Sequence, residues 1–321
     1  MRTISKSMVL NVAVICLFTV LPVDRLEAQQ RVKIGYSSIS SIFLGIWMAK
    51  EIGAYEKYGL RADLVYIGSG SVLVQAMLGG DLHMAGAASN AVVNAILRGA
   101  PLVAVGSVTN RPAMTLWVQP EITRPEQLVG KVLGISRHGS TTHFMTLVVL
   151  EKYGLKDKVK IQPFGGAPET DAAFNAGLIA GAVRSIKPGP KAHALTDLAE
   201  LPIPFSMDLL TVKRDFYKTS PKAVEGMVRA YVEGVAVLKT QKNKAFEVLR
   251  KYMRRVDVDD SYEYAFKYLD RVPRVDPAVI QTVLNWEGKS EAPFKDFFDN
   301  TIIDRLTGEG FIDQLYKGEG K

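Results

Sequence analysis

The chain has 321 residues, of which 47% are hydrophobic and 23% charged, a composition typical of a soluble globular protein with a full core. Its formal net charge is +7. The basic residues of the last third alternate with acidic ones on helical stretches, so we interpret them as solvated helix faces rather than a nucleic-acid-binding surface. Cys16 is the only cysteine, which excludes a disulfide framework and a cysteine-bound metal.

The first 28 residues have the parts of a secretory signal peptide. Arg2 and Lys6 precede the apolar stretch Met8–Val23, and the small residue Ala28 closes the segment. The stretch is shorter than the roughly 20 apolar residues that span a bilayer. We therefore expect a cleaved leader and an exported protein, periplasmic or extracellular. An uncleaved membrane anchor is the alternative.

Residues 31–190 alternate β-rich runs with amphipathic helical segments. Up to Gln119-Pro120 the predicted elements are strand Arg31–Tyr36, helix Phe43–Tyr58, strand Arg61–Ile67, helix Ser71–Leu78, strand His83–Gly86, helix Ala91–Arg98, and strands Leu102–Val108 and Ala113–Val118. The same alternation then restarts with strand Lys131–Ser136, helix Thr141–Tyr153, strand Val159–Pro163, helix Glu169–Ala176 and strand Gly181–Ser185. One more strand, Phe205–Val212, precedes a helical tail from Ser220 to Lys317. This order predicts an α/β protein whose mostly parallel sheets are covered by helices on both faces.

Five segments, in a fixed order, resemble the solute-binding proteins of bacterial ABC importers for nitrate, sulfonates, taurine and thiamine-pyrimidine precursors. They are Ala49–Leu60, Gly68–Gly70, Gln75–Ala85, Leu128–Ile135 and Glu151–Leu155. The resemblance implies a type II periplasmic-binding-protein fold, in which two α/β lobes close on a ligand cleft and the C-terminal helices pack on lobe 1. We place lobe 1 at residues 29–116 plus 212–321 and lobe 2 at residues 117–211.

Four polar loops are predicted to meet at the cleft. Ligands of open α/β sheets lie beyond the carboxyl ends of the strands, where helix N-termini offer unpaired N–H groups. The candidate residues in these loops are Ser37, Ser38, Ser41, Phe43, Gly68, Ser69, Gly70, Ser89, Asn90, Arg137, His138, Ser140 and Thr141. Each loop has an alternative interpretation as an ordinary helix cap, because serine and asparagine prefer N-cap positions.

The charge and aromatic candidates indicate the kind of ligand. Guanidinium groups at Arg137 and Arg111 could fork onto carboxylate, sulfonate or phosphate oxygens, which predicts an anionic organic ligand. A solvent-facing arginine is the alternative at both positions. Phe164 and Gly165 follow a strand where the resemblance implies another cleft loop, and Phe164 could either stack on a planar ligand or belong to the core. Arg184 and Lys187 stand where relatives often have apolar or acidic residues. The resemblance therefore does not identify a specific substrate for this chain.

The sequence favours a receptor over an enzyme. His138 and His143 are five residues apart, unlike a zinc pair on one helical face, and the nucleophile-elbow, phosphate-loop and zinc-protease motifs are absent. We therefore predict no catalysis, metal or cofactor. The expected partners are a small-molecule ligand and a membrane ABC permease, without nucleic acid, and the expected state is a monomer. An enzyme on the same scaffold, acting on a thiamine-pyrimidine or menaquinone-pathway-like metabolite, is the alternative.

Overall fold

The structure is a computed structural model that describes residues 29–254 and 257–317. The predicted signal peptide, residues 1–28, lies outside the described residues. Across the described part of the chain, no helix has both the length and the apolar character needed to cross a membrane.

In residues 29–254 and 257–317, ten strands form two sheets. They are β1 (Gln30–Tyr36), β2 (Leu60–Tyr66), β3 (Met84–Ala88), β4 (Leu102–Ser107), β5 (Thr115–Val118), β6 (Val132–Ile135), β7 (Lys160–Pro163), β8 (Gly181–Arg184), β9 (His193–Asp197) and β10 (Asp208–Lys213). The first sheet has the order β2-β1-β3-β10-β4 and the second the order β7-β6-β8-β5-β9. Each is mixed: β10 runs antiparallel to β3 and β4, and β5 runs antiparallel to β8 and β9. With its helices, each sheet makes one lobe of an α/β two-lobe fold.

Helices follow most of the strands, and the last third of the chain is helical. The α-helices are α1 (Leu44–Glu51), α2 (Ala54–Lys57), α3 (Gly70–Gly79), α4 (Ser89–Leu97), α5 (Thr141–Lys152), α6 (Ala167–Asn175), α7 (Arg214–Thr219), α8 (Pro221–Thr240), α9 (Lys242–Tyr252), α10 (Val258–Tyr268), α11 (Pro277–Trp286), α12 (Thr301–Gly308) and α13 (Phe311–Leu315). Short 3-10 helices occupy Ser41–Phe43, Pro125–Leu128, Leu198–Glu200 and Phe294–Asp296.

The alternation of strands and helices predicted from the sequence is confirmed, with two local differences. The predicted helix Phe43–Tyr58 is broken, because Gly53 adopts a left-handed conformation with φ 70° between α1 and α2. Strand β9 was not predicted. Its sequence, HALTD, has no clear alternation of apolar and polar residues, and it forms the edge of the second sheet by pairing with β5.

The chain passes between the sheets twice, once between β4 and β5 and once between β9 and β10. The lobe boundaries predicted at residues 116/117 and 211/212 fall inside β5 and β10. Strand β5 belongs wholly to the second sheet and β10 wholly to the first, so the change of sheet precedes Thr115 and Asp208. The division of the chain into two domains remains a prediction.

The C-terminal helices return to the first lobe, as predicted. Helix α8 crosses α1 so closely that a Cβ on Gly234 would lie 2.3 Å from the carbonyl oxygen of Gly45. The indole of Trp47 stacks on the ring of Tyr252 in α9, with centroids 4.9 Å apart. Glycine at the crossing and the aromatic stack beside it hold the helical tail against α1 of the first lobe.

Candidate functional site

A polar cavity lies between the two sheets, with a volume of about 60 Å³. Both lobes contribute to its wall. The lining residues are Ser37, Ser38, Ser40, Ile42, Ser69, Gly70, Met114, Gly134, Ile135, Ser136, Ser140, Thr141, Thr142, Ala167, Thr170, Arg184, Ser185, Met207 and Asp208. Hydroxyl groups make up about half of this set, so the wall offers many donors and acceptors to a small polar ligand.

The topology explains why hydroxyl side chains collect here. Strands β1, β2 and β6 point their carboxyl ends at the cavity, and the loops that follow them lead into helix N-termini. The start of α5 is organised by Ser140, the N-cap, whose Oγ accepts a hydrogen bond from the backbone N–H of His143. Helices α3, α5 and α6 all begin at the wall, where their unpaired N–H groups and positive dipole ends favour an anionic group.

Gly70 brings the start of α3 into the wall. A Cβ at this position would lie 2.3 Å from Cβ of Ala88 and 3.0 Å from its backbone nitrogen. Both contacts are far shorter than van der Waals distances, so only glycine allows α3 to approach the end of β3 this closely. The Ser69-Gly70 loop thus reaches the cavity because its helix packs without a side chain in between.

Asp208 is the acidic residue of the wall. It is the first residue of β10, it is only 3% exposed, and the Ser37 hydroxyl donates to its Oδ1 over 3.3 Å. Burial raises the pKa of this carboxyl to about 7, and the Ser37 hydrogen bond lowers it only in part. Near neutral pH the group can therefore hold or release a proton.

Arg184 is the basic residue of the wall. It ends strand β8, is 7% exposed, and donates from Nη1 to the carbonyl oxygen of Ala167 over 2.8 Å and to the carboxylate of Asp171. Burial raises the pKa of Asp171 to about 6, although the Arg184 charge and hydrogen bond act in the lowering direction. This pair holds the guanidinium in place at the cavity.

Several hydrogen bonds join the two lobes around the cavity. The hydroxyls of Ser40 and Ser185 lie 2.9 Å apart, and the Ser71 hydroxyl donates to the carbonyl of His138 over 3.1 Å. The lobes therefore meet directly, in a closed arrangement.

Six of the residues predicted for the site line the cavity: Ser37, Ser38, Ser69, Gly70, Ser140 and Thr141. Three others are buried and do not line it. Ser41 and Phe43 are buried in the core, where the Phe43 ring is so close to β3 that a Cβ on Gly86 would lie 2.7 Å from it. Ser89 is also buried, and its hydroxyl donates to the carbonyl of Ser206.

The remaining predicted residues lie at the rim or away from the cavity. Asn90 donates from Nδ2 to the carbonyl of Gly139, and exposed His138 contacts the ring of His143 edge-on. Gly68 and Gly165 lie where loops of the two lobes approach each other. A Cβ built on Gly68 would be 3.9 Å from the carbonyl oxygen of Gly165.

Arg137 is exposed and lies beside the Gly165 loop. A Cβ built on Gly165 would be 3.9 Å from Nη2 of Arg137. Phe164 packs against the small core cluster of the second lobe, and Arg111 is exposed. These four residues do not line the cavity, and whether any of them contacts a ligand remains a prediction.

Sequence reasoning missed both charged residues of the wall. In the sequence, Arg184 stands out only as a departure from relatives, although a charged residue at the end of an otherwise apolar strand is itself a signal. Asp208 stands within the predicted apolar strand Phe205–Val212, where an acid interrupts the pattern. Such an interruption inside a buried strand is the signal that could have identified it.

Within the described residues, no group of three His, Cys, Asp or Glu side chains is placed to hold a metal ion. Neither histidine nor cysteine is found among the described residues that line the cavity. The described wall offers hydrogen-bonding groups, the carboxyl of Asp208 and the guanidinium of Arg184.

The family model described as NMT1/THI5 like matches residues 40–245. No curated protein matches the chain significantly. Among solved structures, the ligand-binding component of an ABC-type import system from Staphylococcus aureus, with zinc bound, has a TM-score of 0.72 at 15% identity, covering 86% of this chain and 98% of that one.

Two further structures are similar. The nitrate-binding protein NrtA from Synechocystis PCC 6803 has a TM-score of 0.71 at 12% identity, covering 89% of this chain and 91% of its own. The alkanesulfonate-binding protein SsuA from Xanthomonas axonopodis pv. citri, bound to MOPS, has a TM-score of 0.68 at 18% identity, covering 82% and 95%. These likenesses confirm the expected fold.

Proposed function

Because the chain belongs to the NMT1/THI5-like family, we propose that it is an extracytoplasmic solute-binding protein. It captures a small anionic organic solute and delivers it to an ABC importer in the membrane. The observation that carries this proposal is the hydroxyl-rich cavity, whose wall is contributed by both lobes. A solute held there contacts the two lobes at once.

Capture by closure follows from this arrangement. A solute that binds both lobes stabilises the closed form over the open form by its difference in affinity for the two. In the closed form the Ser40 and Ser185 hydroxyls meet, so closing also forms contacts between the lobes. The closed form would then be the one that docks on the permease.

The anionic character of the solute is supported by the electrostatics of the wall. Arg184 presents a buried guanidinium, and the N-termini of α3, α5 and α6 lie at the same cavity. Backbone N–H groups at helix starts and a guanidinium both favour carboxylate, sulfonate or phosphonate oxygens. The nitrate-binding and alkanesulfonate-binding proteins that share the fold agree with this choice.

The location and oligomeric state belong to the same proposal. Residues 1–28 would direct export and be removed, and the mature protein would act as a monomer. N-terminal sequencing of the protein recovered from the periplasm or medium, and its mass in solution by light scattering, test these two points directly.

Thermal unfolding with a panel of solutes tests the function. A ligand that binds only the folded state stabilises it by about 2.7 kcal/mol at a concentration of one hundred times Kd, which raises Tm measurably. We expect at least one sulfonate, carboxylate, nitrate or pyrimidine in the panel to do so, with calorimetry confirming one site. A wide panel that leaves Tm unchanged throughout would contradict the proposal.

The arrangement of Ser140 does not favour the enzymatic alternative. Its hydroxyl donates to the carbonyl of Arg137, while Nδ1 of His143 accepts from the backbone N–H of Gly139. No hydrogen bond joins the Ser140 hydroxyl to the His143 ring within the described residues. We propose binding without turnover, and recovery of an identified ligand chemically unchanged after long incubation is the check.

A further inference from the structure

The carboxyl of Asp208 lies in the wall of the cavity without a cationic partner among the described residues. Its hydrogen bond there comes from the Ser37 hydroxyl. The titratable side chains close enough to sense its charge are Tyr231 and Tyr264, two phenols that stay neutral because burial raises the pKa of both. Asp208 therefore has acceptor capacity that the protein itself does not use.

An ionised carboxylate that is withdrawn from water without a counter-charge is strongly unfavourable. A solute that brings a positive charge removes this penalty on binding, because the two desolvated charges then pair through charge-assisted hydrogen bonds. A solute with only acceptor oxygens leaves the penalty in place. Asp208 thus discriminates between solutes by whether they carry a cationic donor.

Arg184 supplies the opposite charge to the same cavity from the second lobe. Its Nη1 is used by Ala167 and Asp171, whereas Nε and Nη2 have no hydrogen-bond partner within the described residues. The hydroxyls of Ser140, Thr141 and Ser136 belong to the same lobe and the same wall. One lobe therefore presents a carboxyl group, and the other presents a guanidinium group together with hydroxyl donors.

We propose that the solute is a small zwitterion, with an ammonium group that pairs with Asp208 and an anionic group that meets Arg184 and the start of α5. This inference rests on the proposed solute-binding function and narrows its solute to amino-bearing anions. The cavity of about 60 Å³ corresponds to about four to six water-sized positions. Short amino sulfonates, amino carboxylates and amino phosphonates fit that size.

A zwitterion also couples binding to closure. Asp208 belongs to the first sheet and Arg184 to the second, so a short solute reaches both charges only when the lobes are together. A molecule that carries only one of the two groups pairs with the charge of one lobe only. Its affinity for the closed form therefore exceeds its affinity for the open form by less.

Matched pairs of compounds test the proposal on the full mature chain. Ethanesulfonate is compared with 2-aminoethanesulfonate, propionate with 3-aminopropionate, and ethylphosphonate with 2-aminoethylphosphonate, each titrated calorimetrically at neutral pH. The amino member of at least one pair is expected to bind about ten-fold or more tightly than its partner. Asp208→Asn, which keeps the shape of the side chain, should abolish that preference.

A half-buried carboxyl outside the cavity provides the control. Burial also raises the pKa of Asp270, which lies outside the cavity and accepts from Asn110. Asp270→Asn should retain the preference for the amino member, because it removes a half-buried acid that does not line the cavity. Circular dichroism and Tm establish that each variant is folded before its affinities are compared.

The outcomes separate this inference from the function on which it rests. An amine-free anion that binds as tightly as its amino partner, or a folded Asp208→Asn protein that keeps the preference, overturns the zwitterion and leaves solute binding intact. So does a wider screen whose binders all lack an amino group. If no compound in the pairs or in the wider screen binds, the solute-binding function itself fails.

Discussion

Asn90 of the first lobe donates a hydrogen bond from Nδ2 to the carbonyl oxygen of Gly139 in the second lobe, over 2.9 Å. Asn90 lies near the start of α4 and Gly139 just before α5, so the bond joins two helix N-termini at the rim of the cavity. Neither residue lines the cavity itself. The bond therefore joins the two lobes outside the wall of the cavity.

Removing this bond should weaken solute capture. Asn90→Ala loses a hydrogen bond that forms between the lobes, which is worth about 0.5–1.5 kcal/mol, so affinity should fall by about two- to ten-fold. Asn94→Ala is the matched control, because Asn94 lies on the same helix and bonds to Glu287 of the C-terminal tail. Calorimetry on both variants checks the prediction, and equal affinities for the two proteins would contradict it.

The wall arginine should dominate recognition of the anionic group. Arg184→Gln removes a buried guanidinium, and loss of a charged hydrogen bond costs about 1.5–3 kcal/mol, so affinity should fall by about ten- to a hundred-fold. Arg111→Gln, at an exposed position outside the cavity, should leave affinity unchanged. A loss of binding in the Arg111 variant alone would instead support the sequence-based prediction that Arg111 binds the anionic group.

Asp208 should make the empty protein less stable as pH rises. An exposed aspartate has a pKa of about 3.9, whereas burial raises the pKa of Asp208 in the folded protein to about 7. Between these values the folded state binds more protons than the unfolded state, so the contribution to stability falls from pH 4 to pH 7 and stays low above it.

Asp208→Asn removes that effect. The variant should gain Tm over the unmodified protein at pH 8 and gain much less at pH 5, while it binds the solute more weakly. The other groups with shifted pKa values, such as Asp171, His83 and His143, are the same in both proteins, so the difference between the two isolates Asp208. Thermal unfolding at both pH values is the measurement, and a difference in Tm that does not depend on pH would refute the assignment.

The close packing of α3 should be sensitive to a single methyl group. Gly70→Ala places a Cβ 2.3 Å from Ala88, an overlap expected to cost about 1–3 kcal/mol of folding stability and to displace the wall of the cavity. Gly79→Ala on the same helix meets nothing closer than 3.7 Å and should be neutral or stabilising, because alanine is the better helix former. Denaturant unfolding of the two variants separates packing from helix propensity, and similar losses in both would argue against the overlap.

The sequence by itself determined the elements and the fold. Strand and helix periods are local properties, so the alternation from β1 to β8 was predicted within a few residues, and the segments such as Ala49–Leu60 placed the chain among two-lobed α/β proteins. Strand β9 was not predicted, because this edge strand is held by its pairing with β5 and its sequence shows little alternation of apolar and polar residues. The loops at Ser37, Ser69 and Ser140 were also predicted, since small polar residues before helices mark helix starts.

Only the tertiary structure decided which of these residues share a wall. The side chains that meet in the cavity come from strands far apart in sequence, and their convergence depends on sheet order, register and the closeness of the lobes. Asp208 reaches the cavity because β10 inserts antiparallel between β3 and β4, and Arg184 because β8 ends beside α6. Phe43 and Ser89, in equally polar loops, are turned into the core instead. Local patterns encode the elements, whereas a binding wall is a property of their assembly.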